Sequence, residues 1–178
     1  MHSVRVLVVA AALCSFANAQ VLIGGTIYDG SGGPLLSGVV YHTTGNLTVP
    51  IGQTLTVQSG AIVKFNNSAL TVDGTLISNG TSANPAVFTS LHDDAAGGDT
   101  NGNGNATAPA PDQWYGVRFN ATSSASAVAH TVVRYGGRGY WPLVDIVTAN
   151  VTFTDSAITD GRWGGMRLDA GARPTIAR

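Results

Sequence analysis

Three Leu-Thr-Val triplets constrain what this chain can fold into: Leu47-Thr48-Val49, Leu55-Thr56-Val57 and Leu70-Thr71-Val72. The first and third lie 23 residues apart, as do Phe65 and Phe88, and Thr54-Leu55 and Thr75-Leu76 lie 21 apart. Three short strands therefore recur in order. One coil reads LTV, TLTV, IVKF (Ile62 to Phe65), and the next reads LTV, TLIS (Thr75 to Ser78), AVFTS (Ala86 to Ser90). Pro50, Gly52, Ser59-Gly60, Asn66-Asn67, Asp73-Gly74, Asn79-Gly80 and Asn84-Pro85 supply the turns between them. Within each strand apolar residues alternate with Thr, Lys or Arg, so one face points inward. A period of 21–25 residues with three ordered strand types predicts an all-β parallel β-helix, in which each coil hydrogen-bonds to the one below. An antiparallel sandwich also has short strands and many turns, but needs no fixed period.

Composition agrees. The 178 residues include ten acids, all Asp, and no Glu; one Lys accompanies eight Arg, and Gly reaches 23. Helix surfaces favour Glu and Lys, whereas Thr favours strands and Gly favours turns. Charged residues are only 11%, and the net charge of −1 offers nothing to a nucleic-acid backbone.

The repeat continues in variant form. Trp114-Tyr115-Gly116-Val117-Arg118-Phe119 aligns with Trp163-Gly164-Gly165-Met166-Arg167-Leu168 at a separation of 49. Val132 to Gly137 aligns with Ala157 to Gly161 one coil later. The runs GNLTVPIGQTLTVQSGAIVKF (Gly45 to Phe65), LTVDGTLISNGTSANPAVFTS (Leu70 to Ser90), WYGVRF and HTVVRYGG (His130 to Gly137) resemble coils of secreted bacterial right-handed parallel β-helix repeat proteins of the pectate-lyase-like superfamily. The resemblance covers Gly45 to Gly137 well and the remainder more loosely. It implies a right-handed solenoid. For function it leaves adhesins, surface repeat proteins and polysaccharide-active enzymes open, because one fold hosts many activities.

Residues 1–19 read as a secretory signal: Arg5, an apolar run from Val6, and the small-x-small site Ala17-Asn18-Ala19. The product is expected to be secreted or held at the cell surface. Cys14, the only cysteine, lies inside this segment, and Leu13 before it is too bulky for a lipoprotein site, so the mature chain carries no disulfide. No later run is long and apolar enough to span a membrane. Residues 20–45 are Gly-rich and read as an N-terminal cap shielding the first coil. Residues 46–178 carry the coils, about five from Leu47 on and about 24 Å tall at the usual strand spacing. A loop insertion, 91–113, has little apolar content and is expected to project. Since a new strand begins at Pro174-Thr175-Ile176, the chain reads as the N-terminal portion of a longer solenoid, partnered by further C-terminal coils.

Asp99-Thr100-Asn101-Gly102-Asn103-Gly104 matches the opening of a calcium loop, with oxygen ligands at alternate positions and Gly for the sharp turn. Ala110 stands where an EF-hand places its bidentate Glu, leaving Asp112, Asp93 or Asp94 to complete the shell. Asp99, Asn101, Asn103 and Asp112 are thus candidate calcium ligands, the alternative being a flexible Asn/Gly-rich loop. Lyases and hydrolases with this fold use clustered carboxylates, or an arginine beside calcium, to move a proton next to a uronate. Asp155, Asp160 and Arg167 are the catalytic candidates, although no two acids form a pair by spacing, and turn or ion-pair roles compete. Asp145, Asp169, Arg134, Arg138 and Arg162 belong to the same pool. Arg118 and Arg167 occupy equivalent strand positions, so one face two coils apart is expected for them. Tyr140 and Trp141, in a turn before Pro142, are candidate sugar-stacking residues, while Trp114 and Trp163 are expected at coil corners.

His42, His92 and His130 show no ligand spacing. Six N-x-[ST] sequons, at Asn46, Asn66, Asn79, Asn105, Asn120 and Asn150, fit turn chemistry, with glycosylation as the alternative in a eukaryotic host. The sequence thus points to a β-helix module with a structural or binding role, contacting a glycan or cell surface. A fragment of a polysaccharide lyase or glycoside hydrolase is the alternative.

Overall fold

The computed structural model of the chain describes residues 20–147 and 149–178; the expected signal segment, 1–19, lies outside them. The strands run as β1 (Val21–Thr26), β2 (Tyr28–Asp29), β3 (Gly32–Gly33), β4 (Val40–Val49), β5 (Thr54–Gln58), β6 (Ile62–Phe65), β7 (Ala69–Val72), β8 (Thr75–Asn79) and β9 (Ala86–Ser90). After the insertion come β10 (Gly116–Phe119), β11 (Ala127–Ala129), β12 (Thr131–Arg134), β13 (Val144–Ile146), β14 (Thr152–Thr154), β15 (Ala157–Thr159), β16 (Met166–Leu168) and β17 (Thr175–Ala177). Among the described residues a single 3-10 turn, Arg138–Tyr140, is the helical element, and no helix there is long and apolar enough to cross a membrane.

Every named strand pair is parallel, and the three predicted strand types become three faces of one solenoid. Face one stacks Leu47–Val49 of β4, then β7, β10, β13 and β16. Face two stacks β5, β8, β11, β14 and β17. Face three stacks Val40–His42 of β4, then β6, β9, β12 and β15. The alternation sets the faces: in β5, Leu55 and Val57 are buried between half-exposed Thr54, Thr56 and Gln58.

The stack is taller than the five coils expected. Those five levels are present from Leu47 on, and β1 adds another rung by pairing with β4 from Val21↔Tyr41 to Thr26↔Thr48. Gly24-Gly25 and a register shift between Ile23 and Gly25 hide this strand from any periodicity count. Asp29 fastens the start of the chain to face two, its carboxylate accepting from the Thr56 amide at 2.8 Å and the Thr56 hydroxyl at 2.6 Å.

The core is a set of inward columns. Leu47, Leu70, Val117 and Val144 stack on face one, and Val63, Phe88 and Val133 on face three. Trp114 is fully buried and stacks on Phe65 at 4.2 Å, while its indole N–H donates to the Arg134 carbonyl at 2.8 Å. Hydroxyls satisfy the buried polar groups where strands bend: Thr43 with Ser68, Ser78 with Thr131, and Ser126 accepting from the Leu76 amide.

The insertion does not simply project. Its first half folds back over face three, burying Leu91, Asp93, Ala96 and Thr100. The physical reason is polar. Lys64, fully buried at an outward position of β6, donates its Nζ to the Gly98 carbonyl at 2.6 Å. Asp93 accepts from the Thr89 hydroxyl at 2.6 Å and pairs with Arg134 at 2.7 Å. Gly97 has φ +73° and sits so close to β4 that a Cβ there would lie 2.6 Å from Val40 Cγ2. An apolar count misses an anchor made of buried ions and glycine.

Candidate ligand-binding corner

Three long connections leave the same corner of the solenoid, between face three and face one: residues 91–115, 135–143 and 160–165. Elsewhere the connection at this corner is short, as in the three residues Asn66–Ser68 between β6 and β7. The long turns are therefore stacked on successive rungs. The end of the insertion is tied to the next turn by the Asp112 amide donating to the Gly136 carbonyl at 3.0 Å and the Gln113 amide to Tyr135 at 3.2 Å. That turn is tied to the third by the Arg162 amide donating to Gly136 at 3.1 Å. Gly137, at φ +91°, permits this closeness, since a Cβ would lie 2.9 Å from the Arg162 nitrogen.

Together the three turns border an open pocket of about 330 Å³ lined by Asp112, Tyr115, Arg138, Gly139, Tyr140, Arg162 and Trp163. Tyr140 and Trp163 are 78% and 47% exposed, and their rings lie 4.8 Å apart, tilted by 34°. Large aromatics normally seek cover, so two such rings exposed side by side form a platform rather than a core remnant. Arg162 ion-pairs with Asp112 and lies 5.3 Å over the Trp163 ring. The other carboxylate oxygen of Asp112, Oδ1, is buried without a hydrogen-bond partner. The Arg138 guanidinium makes one hydrogen bond, at 3.3 Å to the Asp112 carbonyl.

Tyr115 connects this pocket to face one, packing edge-on against Trp141 at 6.0 Å, and Arg118 lies 5.3 Å over the Trp141 ring. Arg118, Asp145 and Arg167 then stand in register on β10, β13 and β16. Asp145 is fully buried; Arg167 grips it through two hydrogen bonds of 2.9 and 2.8 Å, and Arg118 approaches to 3.3 Å. Those hydrogen bonds, before any other cause, raise the Arg167 pKa, so this guanidinium stays charged. Arg118 also donates to Asn120, which donates to Asp73 at 2.6 Å.

The expected site residues disperse. Tyr140 lines the pocket; Trp141 lies beside it, under Arg118, without forming the platform. Asp155 lies at the corner between faces two and three, 3.8 Å from His130, Asp160 is exposed after β15, and Arg167 is on face one. These three stand on different sides of one rung. In the calcium-like loop, the Asp99 carboxylate accepts from the amides of Gly102, Asn103 and Gly104, and Asn101 Oδ1 accepts from the Asn103 amide. Asn103 Oδ1 is buried without a partner, while Asp112 is engaged with Arg162. Among the described residues, no three of His, Cys, Asp and Glu group so as to hold a metal.

Sequence reasoning pooled Asp145 with the other charged candidates but missed its pairing with Arg118 and Arg167, the pairing of Asp112 with Arg162, and the convergence of Tyr115, Arg138 and Arg162. Asp145 was within reach, since it is equivalent to Arg118 and Arg167, but its rung follows β10 by 27 residues and breaks the period. Comparison of the chain with protein families, curated proteins and solved structures finds no match.

Proposed function

We propose that this chain is a secreted or cell-surface β-helix module, of the bacterial pectate-lyase-like kind, that binds a glycan in its corner pocket. The observation that carries this reading is the exposed Tyr140–Trp163 pair set against Asp112, Arg138 and Arg162. A pyranose ring has one apolar face of C–H groups and an equator of hydroxyls. Adjacent aromatic rings match the face, and guanidinium N–H donors match the hydroxyl oxygens of the equator. The pocket has the size and the few convergent polar groups expected of a small-molecule site. Its turns rest on stacked rungs, so little ordering is required on binding.

A glycan array with the wild-type chain, followed by calorimetry with the best ligand, tests this. Tyr140→Ala and Trp163→Ala are each expected to weaken binding about tenfold, with the melting temperature changed little because both rings are exposed. Undiminished binding by the double variant would move the site elsewhere. Release of an unsaturated product from a polyuronate, lost on Arg167→Ala, would replace the binding reading by the lyase.

A further inference from the structure

We infer that the corner pocket selects an anionic sugar residue, and that Arg138 is its anion receptor. The inference rests on the glycan reading above and adds the charge of the ligand and the residue that reads it. The arginines are unequally paired. Arg118 and Arg167 share Asp145, Arg134 holds Asp93, and Arg162 holds Asp112. Arg138, like Arg173 and Arg178, has no carboxylate within ion-pair distance among the described residues, but of these three it alone lines the pocket, and its guanidinium makes one hydrogen bond, to a neutral carbonyl.

Its position is fixed by the fold. Arg138 opens the 3-10 turn that carries Tyr140, and its own amide donates to the Trp114 carbonyl at 3.1 Å. The guanidinium is therefore held in the wall of the pocket, in the same turn as one ring of the platform. Most of the five N–H donors of this arginine remain unused. Neither carboxylate oxygen of Asp112 pairs with it: Oδ2 holds Arg162, Oδ1 is buried without a partner, and only the backbone carbonyl of Asp112 reaches Arg138. A carboxylate or sulfate on a sugar stacked over Tyr140 and Trp163 would meet a planar donor fork, which suits either anion in bidentate geometry. The neighbouring Arg162–Asp112 pair is internally neutral, so the pocket presents one net positive charge from Arg138.

The experiment uses three oligosaccharides of equal length, measured by calorimetry at low and high salt. One is neutral, one has the C6 hydroxymethyl groups oxidised to carboxylates, and one is sulfated. The acidic or the sulfated ligand is expected to bind at least tenfold more tightly than the neutral one, with an advantage that shrinks as salt rises. Whichever anion wins identifies the group. Arg138→Gln is expected to abolish that advantage while weakening neutral binding less than threefold, and Arg138→Lys to keep part of it. Tyr140→Ala is expected to weaken both classes. Equal binding of charged and neutral ligands, unaffected by Arg138→Gln, would overturn the inference and leave the glycan reading standing. No binding by any ligand of the three or of the array would remove both.

Discussion

Removing the Asp145 carboxylate leaves two arginines facing each other across face one. The aspartate is fully buried, whereas Arg118 and Arg167 keep 31% and 48% of their side-chain surface. Breaking a buried pair costs several kcal/mol, and partial exposure of both arginines moderates it. Asp145→Asn is expected to cost about 3 kcal/mol in denaturant unfolding; a loss below about 0.5 kcal/mol, the scale of an ordinary surface change, would show the ladder to be ornamental. A second residue-scale prediction concerns acid. Burial first, then the nearby Lys64 ammonium, holds the His42 pKa below its ordinary value. The unfolded chain therefore takes up the proton first, and stability is expected to fall as pH drops below about 6.5. His42→Gln should flatten that limb of a melting-temperature profile, and an unchanged slope would assign it to the carboxylates. For Lys64, burial lowers the pKa against the pull of Asp94, Asp93 and Asp99. Its contribution has the same sign: stability rises with pH between the lowered value and the ordinary lysine value near 10.4.

At the scale of elements, the periodic strands and their short turns were legible, whereas β1 and the long turns were not. Leu47, Leu55 and Leu70 announce their strands because burial on one side of a pleat writes a period of two into the chain. The insertion carries no such record. Its anchors are Lys64 to a backbone carbonyl, Asp93 to Arg134, and a glycine against Val40, and none of these pairings is periodic. The pocket was half legible for the same reason. Tyr140 stood out as an aromatic in a turn, but only the stacking of three turns at one corner brings Trp163, Asp112 and Arg138 to it. Lys64→Met is expected to release the first half of the insertion, with amide exchange at Ala96 and Gly98 rising well above that of the β6 and β9 ladder. Unaltered exchange there would mean that Asp93 and Arg134 suffice to hold the segment.

The molecule as a whole is a stack in which each rung touches only its neighbours. Such solenoids are approximately one-dimensional in their energetics. Interior rungs are fully covered, as Val49, Val72 and Phe119 show, whereas Leu168 and Ile176 in the last rung are 48% and 64% exposed. Hydrogen exchange is expected to run fastest in β15, β16 and β17 and slowest in β6 and β7; uniform protection would indicate a single cooperative unit instead. The proposed binding site lies toward that less protected end, on turns 91–115, 135–143 and 160–165. Residue-resolved NMR reads the location of the site relative to the stack directly. Titrating the tightest-binding oligosaccharide into the labelled chain should shift the amide and indole signals of Asp112, Tyr115, Arg138, Tyr140, Arg162 and Trp163 in one saturable curve, leaving face two unmoved. Shifts centred on face two, or on the corner of His130 and Asp155, would contradict it.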